Sequence, residues 1–88
     1  MIFVEFFTMP GCRNCVSVRA LLNEMHSQYE GFSYEEIDLS KHPHEATRYN
    51  IMACPAIAIN SKLMFLGGVD EKKLRRAFDD IAKLTPRP

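Results

Sequence analysis

The sequence lacks an excess of either charge, a long apolar run and a large number of cysteines. Its 88 residues include 11 basic and 11 acidic side chains, so no net field attracts nucleic acid, anionic lipid or acidic substrates. Every apolar run ends well before the ~18 residues that a membrane-spanning helix needs. Because residues 1–7 contain neither a basic region nor a cleavage site, we expect no secretory leader and predict a cytoplasmic protein.

The composition is that of one globular domain. Apolar residues make up 47% of the chain and charged residues 25%, which is an ordinary balance for a folded core. The length suits a single domain, and no repeat or linker divides it. We predict one domain over residues 1–84, a tail over residues 85–88, and a monomer.

Hydrophobic patterning predicts strands and helices in the order β-α-β-α-β-β-α. Apolar side chains recur at helical spacing from Cys15 to Tyr29 and again after Asp70, which we expect to cap the last helix. Gly31 is expected to close the first helix, and Asn60 and Ser61 to form a hairpin turn. The predicted strands cover residues 2–8, 32–39, 56–59 and 62–66, and the middle helix covers residues 43–49.

This order of elements predicts an α/β fold. A strand-helix-strand unit pairs its two strands in parallel through a right-handed crossover, whereas the last two strands form an antiparallel hairpin. The expected architecture is a four-stranded mixed sheet with helices on both faces.

Cys12 and Cys15 form a Cys-x-x-Cys motif between the first strand and the first helix. The odd total of three cysteines argues against a secreted disulfide framework, so a catalytic or metal-binding pair is favoured. A cysteine at a helix N-terminus gains thiolate character from unpaired N–H groups and from the helix dipole. We predict that Cys12 attacks a substrate disulfide and that Cys15 then releases the product. Half of a zinc site has the same spacing, but no second such motif follows.

Two segments resemble the thioredoxin and glutaredoxin superfamily. Thr8-Met9-Pro10-Gly11-Cys12-Arg13-Asn14-Cys15 resembles its active-site loop, and Ile51-Met52-Ala53-Cys54-Pro55-Ala56-Ile57 resembles its cis-proline loop. The likeness spans nearly the whole chain and is closest to short archaeal thioredoxins of glutaredoxin size. It implies a thioredoxin-like fold and a protein-disulfide reductase without cofactor or bound metal, reduced by a partner of the thioredoxin-reductase type.

The resemblance also implies a substrate-binding loop. Pro55 would follow a cis peptide bond, and the backbone of Cys54 would then lie beside Cys12, where an extended substrate could pair with it. This sequence departs from the thioredoxin pattern at Gly11, which replaces a tryptophan, and at the Arg-Asn pair between the cysteines. Cys54 is a third departure, either a small buried residue or a third thiol near the pair.

Three further features have a functional and a structural interpretation. The resemblance makes Glu5 a candidate proton acceptor for Cys15, and the alternative is a strand acid that reaches solvent. His42 and His44 could suggest a metal, but an ordinary helix start explains them. Residues 67–70 resemble a glutathione-binding glycine pair and acid, whereas a turn followed by a helix cap accounts for them equally well.

The leading interpretation is a thiol–disulfide oxidoreductase that acts on disulfide-containing proteins. Two alternatives remain at this point. One is a glutathione-dependent glutaredoxin, and the other is a metal or iron–sulfur carrier that uses Cys12, Cys15 and Cys54 as ligands.

Overall fold

The structure is a computed structural model that describes residues 2–29 and 31–84. Its elements follow the predicted order. The strands are β1 (Ile2–Thr8), β2 (Phe32–Asp38), β3 (Ala56–Ile59) and β4 (Lys62–Leu66), and the helices are α1 (Arg13–Gln28), α2 (Pro43–Tyr49) and α3 (Glu71–Leu84). The predicted tail, residues 85–88, lies outside the described residues.

The four strands form one mixed sheet in the order β2-β1-β3-β4. β1 is parallel to β2 and antiparallel to β3, which forms the antiparallel hairpin with β4. The register pairs Thr8 with Asp38, so the carboxyl ends of β1 and β2 meet at the same edge of the sheet. Helix α1 begins beyond this edge, and the sheet therefore brings the end of β2 to the start of α1.

Helices cover both faces of the sheet, as the sequence predicts. Alternation along β1 sends Val4 and Phe6 into a cluster with side chains of α1 and α3, while Phe7 packs on the opposite face with side chains of α2. Both clusters are closed to solvent, and Leu22 of α1 and Phe78 of α3 are fully buried in the first. No helix in residues 2–29 and 31–84 is long and apolar enough to cross a membrane.

The ends of the helices have local causes. Asn50 ends α2 in the left-handed region with φ of 55°, as expected. Asp70 caps α3, since its Oδ1 accepts the N–H groups of Lys72 at 2.8 Å and Lys73 at 3.3 Å. Helix α1 ends at Gln28, before the predicted stop at Gly31, because Tyr29 already has extended backbone angles.

Candidate active site

Cys12 and Cys15 lie at the start of α1 and form a disulfide with a Cα–Cα distance of 5.4 Å. Cys12 is the N-cap residue, with extended backbone angles and no side-chain hydrogen bond to the first turn. Cys15 lies one turn further along the helix and is 2% exposed, whereas Cys12 is only partly buried. Cys12 is therefore the more exposed member of the pair.

The N-terminus of α1 has the electrostatic character that a thiolate needs. No acidic residue occupies its first turn, and the basic residue Arg13 follows Cys12 directly. The loop turns at Gly11, where φ is 80°. A Cβ at Gly11 would meet nothing within 4 Å, so the backbone conformation rather than space favours glycine there.

The Cys54–Pro55 peptide bond is cis, as the resemblance implied. Pro55 is buried, and its carbonyl accepts the N–H of Gly67 at 2.8 Å, which ties this loop to the end of β4. Cys54 is a partly buried free thiol that packs against both core clusters, and Cys12 packs against the first of them. Burial raises the pKa of the Cys54 thiol, and the negative charge of Asp38 adds to this effect.

An open groove of about 710 Å³ lies beside the cysteine pair. Its walls are the loop before α1, the first two turns of α1 and the end of β2. Both cysteines line the groove, together with four charged side chains: Arg13, Arg19, Glu36 and Asp38. Glu36 and Asp38 were not among the candidates from the sequence. The signal that could have found them is the expected parallel pairing of the first two strands, which places the carboxyl ends of these strands together.

The Glu5 side chain points away from Cys15, toward α2. Its carboxylate accepts a 2.5 Å hydrogen bond from the Tyr49 hydroxyl and lies 3.4 Å from Arg48 Nη1, both on α2. Cys15 packs on the α1 side of the sheet, so the two side chains lie on opposite faces. This placement does not support direct proton transfer, and it also differs from the expected alternative of an acid that reaches solvent, because Glu5 is 6% exposed.

The remaining candidates have structural roles in this fold. His42 is the N-cap residue of α2, and His44 is exposed on its first turn. Gly67 has a φ of 81°, consistent with a turn residue, and Asp70 acts as the helix cap described above. Within the described part of the chain, no three His, Cys, Asp or Glu side chains are grouped as metal ligands.

An α/β fold with a mixed sheet and a cysteine pair at the N-terminus of the first helix is typical of thiol–disulfide oxidoreductases. The chain belongs to the thioredoxin domain family, whose model matches residues 3–79. It is 32% identical over 78 residues to a probable thioredoxin of Methanothermobacter thermautotrophicus, covering 88% of this chain and 92% of the relative. It is also 31% identical over 75 residues to a thioredoxin of Methanocaldococcus jannaschii, covering 84% of this chain and 88% of the relative.

A solved structure supports the fold. Mitochondrial thioredoxin 3 from Saccharomyces cerevisiae, in its oxidized form, superposes with a TM-score of 0.77 over 90% of this chain and 77% of that one, at 18% identity. The predicted superfamily, fold and redox activity are thus confirmed: the chain is a protein thiol–disulfide oxidoreductase that acts on disulfide-containing substrates. The glutaredoxin and metal-carrier alternatives are not favoured by these relatives.

Proposed function

We propose that Cys12 is the nucleophile and Cys15 the resolving thiol in the reduction of protein disulfides. The observation that supports these roles is that Cys12, at the start of α1, is partly accessible and lies within disulfide distance of the buried Cys15. The Cys12 thiolate attacks one sulfur of the substrate, and the other sulfur leaves as a thiolate that takes up a proton. Cys15 gives up its proton as it attacks Cys12, and the second substrate sulfur leaves as a thiolate that takes up a proton.

The position of Cys12 favours the nucleophilic form. Unpaired N–H groups and the positive end of the helix dipole stabilise a negative sulfur at the N-cap, and Arg13 adds a positive charge nearby. Because Cys15 is buried, a substrate disulfide reacts first with Cys12, and Cys15 reacts only with the mixed disulfide on Cys12. This order makes the exchange directional.

Cys54 and Pro55 contact the substrate in this proposal. They lie immediately before β3, where the ladder with β1 has not yet begun. Among the described residues the Cys54 backbone makes no backbone hydrogen bond, so it can pair with an extended segment. The Pro55 carbonyl is already occupied by Gly67. The Cys54 thiol has no chemical step in this proposal, and burial, which raises its pKa, disfavours its thiolate.

The proposal includes the setting in which the protein works. A donor of the thioredoxin-reductase type reduces the Cys12–Cys15 disulfide, and the protein acts as a monomer in the cytoplasm. The similarity to archaeal thioredoxins is what supports this setting.

Reduction of insulin by dithiothreitol tests the roles of Cys12 and Cys54. We expect wild-type protein to accelerate the reaction, Cys12→Ser to abolish the acceleration, and Cys54→Ser to keep at least half of it. Activity in Cys12→Ser, or none in the wild type, would contradict the proposal. Replacing dithiothreitol by NADPH with thioredoxin reductase tests the donor, and turnover with glutathione and glutathione reductase alone would overturn that assignment.

A further inference from the structure

The carboxyl end of β2 presents two acidic side chains to the face of the sheet that holds the cysteine pair. Tyr34 of this strand packs with the α1-side cluster and Ile37 with the α2-side cluster, so Glu36 and Asp38 face α1. Both acids line the groove beside Cys12 and Cys15. They are therefore the carboxylates that share a surface with the reactive sulfurs.

The two acids differ in how far their charge is compensated. Glu36 accepts two hydrogen bonds from Arg19, at 2.6 Å and 2.9 Å, and this bidentate pair is locally neutral. Asp38 takes part in none of the ion pairs within 4.0 Å between side chains that the structure describes. Its Oδ1 instead accepts the hydroxyl of Ser40 at 2.6 Å and the backbone N–H of Ser40 at 2.9 Å.

These contacts fix a negative charge in the groove. The Ser40 hydroxyl, and after it the Ser40 amide, lower the pKa of Asp38, and the nearby charges of Lys41 and His42 act in the same direction. Asp38 is thus ionised throughout the neutral range. The charge of Asp38 contributes to the raised pKa of Cys54, and Cys54 packs against the same α1-side cluster as Cys12. Arg13 is the other charge in the groove that no ion pair between described residues neutralises.

We propose that the carboxylate of Asp38 makes the Cys12–Cys15 pair more strongly reducing, by repelling the negative sulfur that reduction leaves on Cys12. This inference depends on the proposed function, since it assumes that the pair is the redox centre. Reduction gives the disulfide two electrons and one proton, and leaves a thiolate on Cys12 and a thiol on Cys15. Dithiothreitol supplies both electrons as its thiols close into a cyclic disulfide, and one of its two protons goes to solvent.

The reduction equilibrium against dithiothreitol, measured at neutral pH, tests the charge of Asp38. Asp38→Asn and Asp38→Ser both remove the charge and keep an oxygen that can accept the Ser40 N–H, so failure of one to fold leaves the other. We expect the equilibrium constant for reduction to rise by roughly threefold to tenfold in both, and tenfold corresponds to about 30 mV. The ultraviolet absorbance of the Cys12 thiolate should appear at lower pH.

Glu35→Gln is the matched control. It removes the same charge from the same strand, but Glu35 lies on the opposite face of the sheet and is exposed. We expect its equilibrium constant for reduction to stay within about twofold of the wild-type value. If Asp38→Asn and Asp38→Ser match this control while they still reduce insulin, the role of Asp38 is wrong and the proposed function stands. If the wild type shows no Cys12–Cys15 redox equilibrium, both are refuted.

Discussion

Replacement of Glu5 by glutamine distinguishes a stabilising role of this acid from a chemical one. The Glu5 side chain is 8% exposed and joins β1 to α2 through the Tyr49 hydroxyl at 2.5 Å. Arg48, its second partner, lies at 3.4 Å and is half exposed, so solvent screens that ion pair. Glutamine fills the same space and can still accept the Tyr49 hydrogen. The substitution therefore removes the charge and little else.

The expected loss follows from the kind of hydrogen bond that changes. A bond to an ionised acceptor contributes about 1.5–3 kcal/mol and a neutral one about 0.5–1.5 kcal/mol, so we expect Glu5→Gln to lower the free energy of unfolding by about 1 kcal/mol. For a domain of this size that is a drop of about 4–8 °C in Tm. Insulin reduction should stay within twofold of the wild type, because Glu5 and Cys15 lie on opposite faces of the sheet.

Urea unfolding and insulin reduction, measured on the same samples, check both expectations. Glu45→Gln is the control, since Glu45 also pairs with Arg48, at 3.2 Å, but is less buried than Glu5. We expect it to change the free energy of unfolding by less than about 0.5 kcal/mol. A tenfold loss of turnover in Glu5→Gln with unchanged stability would refute this reasoning and would restore Glu5 as a proton acceptor.

Three further substitutions or reactions test other parts of the account. Leu22→Ala should lower the free energy of unfolding in urea by about 2–5 kcal/mol, because Leu22 is fully buried. Val16→Ala is the control and should lower it by less than about 0.5 kcal/mol, because Val16 is 62% exposed. Equal losses would contradict the assigned core. Ser40→Ala should raise the pKa of Asp38, which an NMR titration measures. Because folding lowers its pKa, Asp38 contributes stability that is present above its unfolded pKa of about 3.9 and is lost as the pH falls. The variant should therefore lose less stability than the wild type below about pH 4. Identical acid-unfolding curves for the two proteins would contradict this. In oxidised protein, alkylation of Cys54 at neutral pH should be slower than that of a small-molecule thiol, since burial raises its pKa; equal rates would contradict that placement.

Most of the fold could be predicted because its boundaries have local signals. Pro43 starts α2 and Asn50 ends it, and Asn60 and Ser61 adopt the positive φ values of a tight hairpin turn. The end of α1 was the exception. Gly31 does have a positive φ, but the helix stops three residues earlier, and no special residue marks that point.

The site could be predicted only in part. The cysteine pair is local in sequence, so its position at a helix start followed from neighbouring residues. The orientation of Glu5 did not follow, because β1 is buried on both faces and its apolar run has no alternation to show which face each side chain takes. Asp38 reaches the groove through the strand order and the register with Thr8, which are properties of the whole sheet.

The central claim, that Cys12 attacks and Cys15 resolves, is tested most directly by trapping the mixed disulfide. Cys15→Ser, incubated with a protein disulfide substrate and analysed by mass spectrometry, should accumulate one covalent adduct joined through Cys12. Cys12→Ser should form none, and Cys15→Ser combined with Cys54→Ser should trap as much as Cys15→Ser alone. An adduct joined through Cys54, or no adduct in Cys15→Ser, would contradict the account.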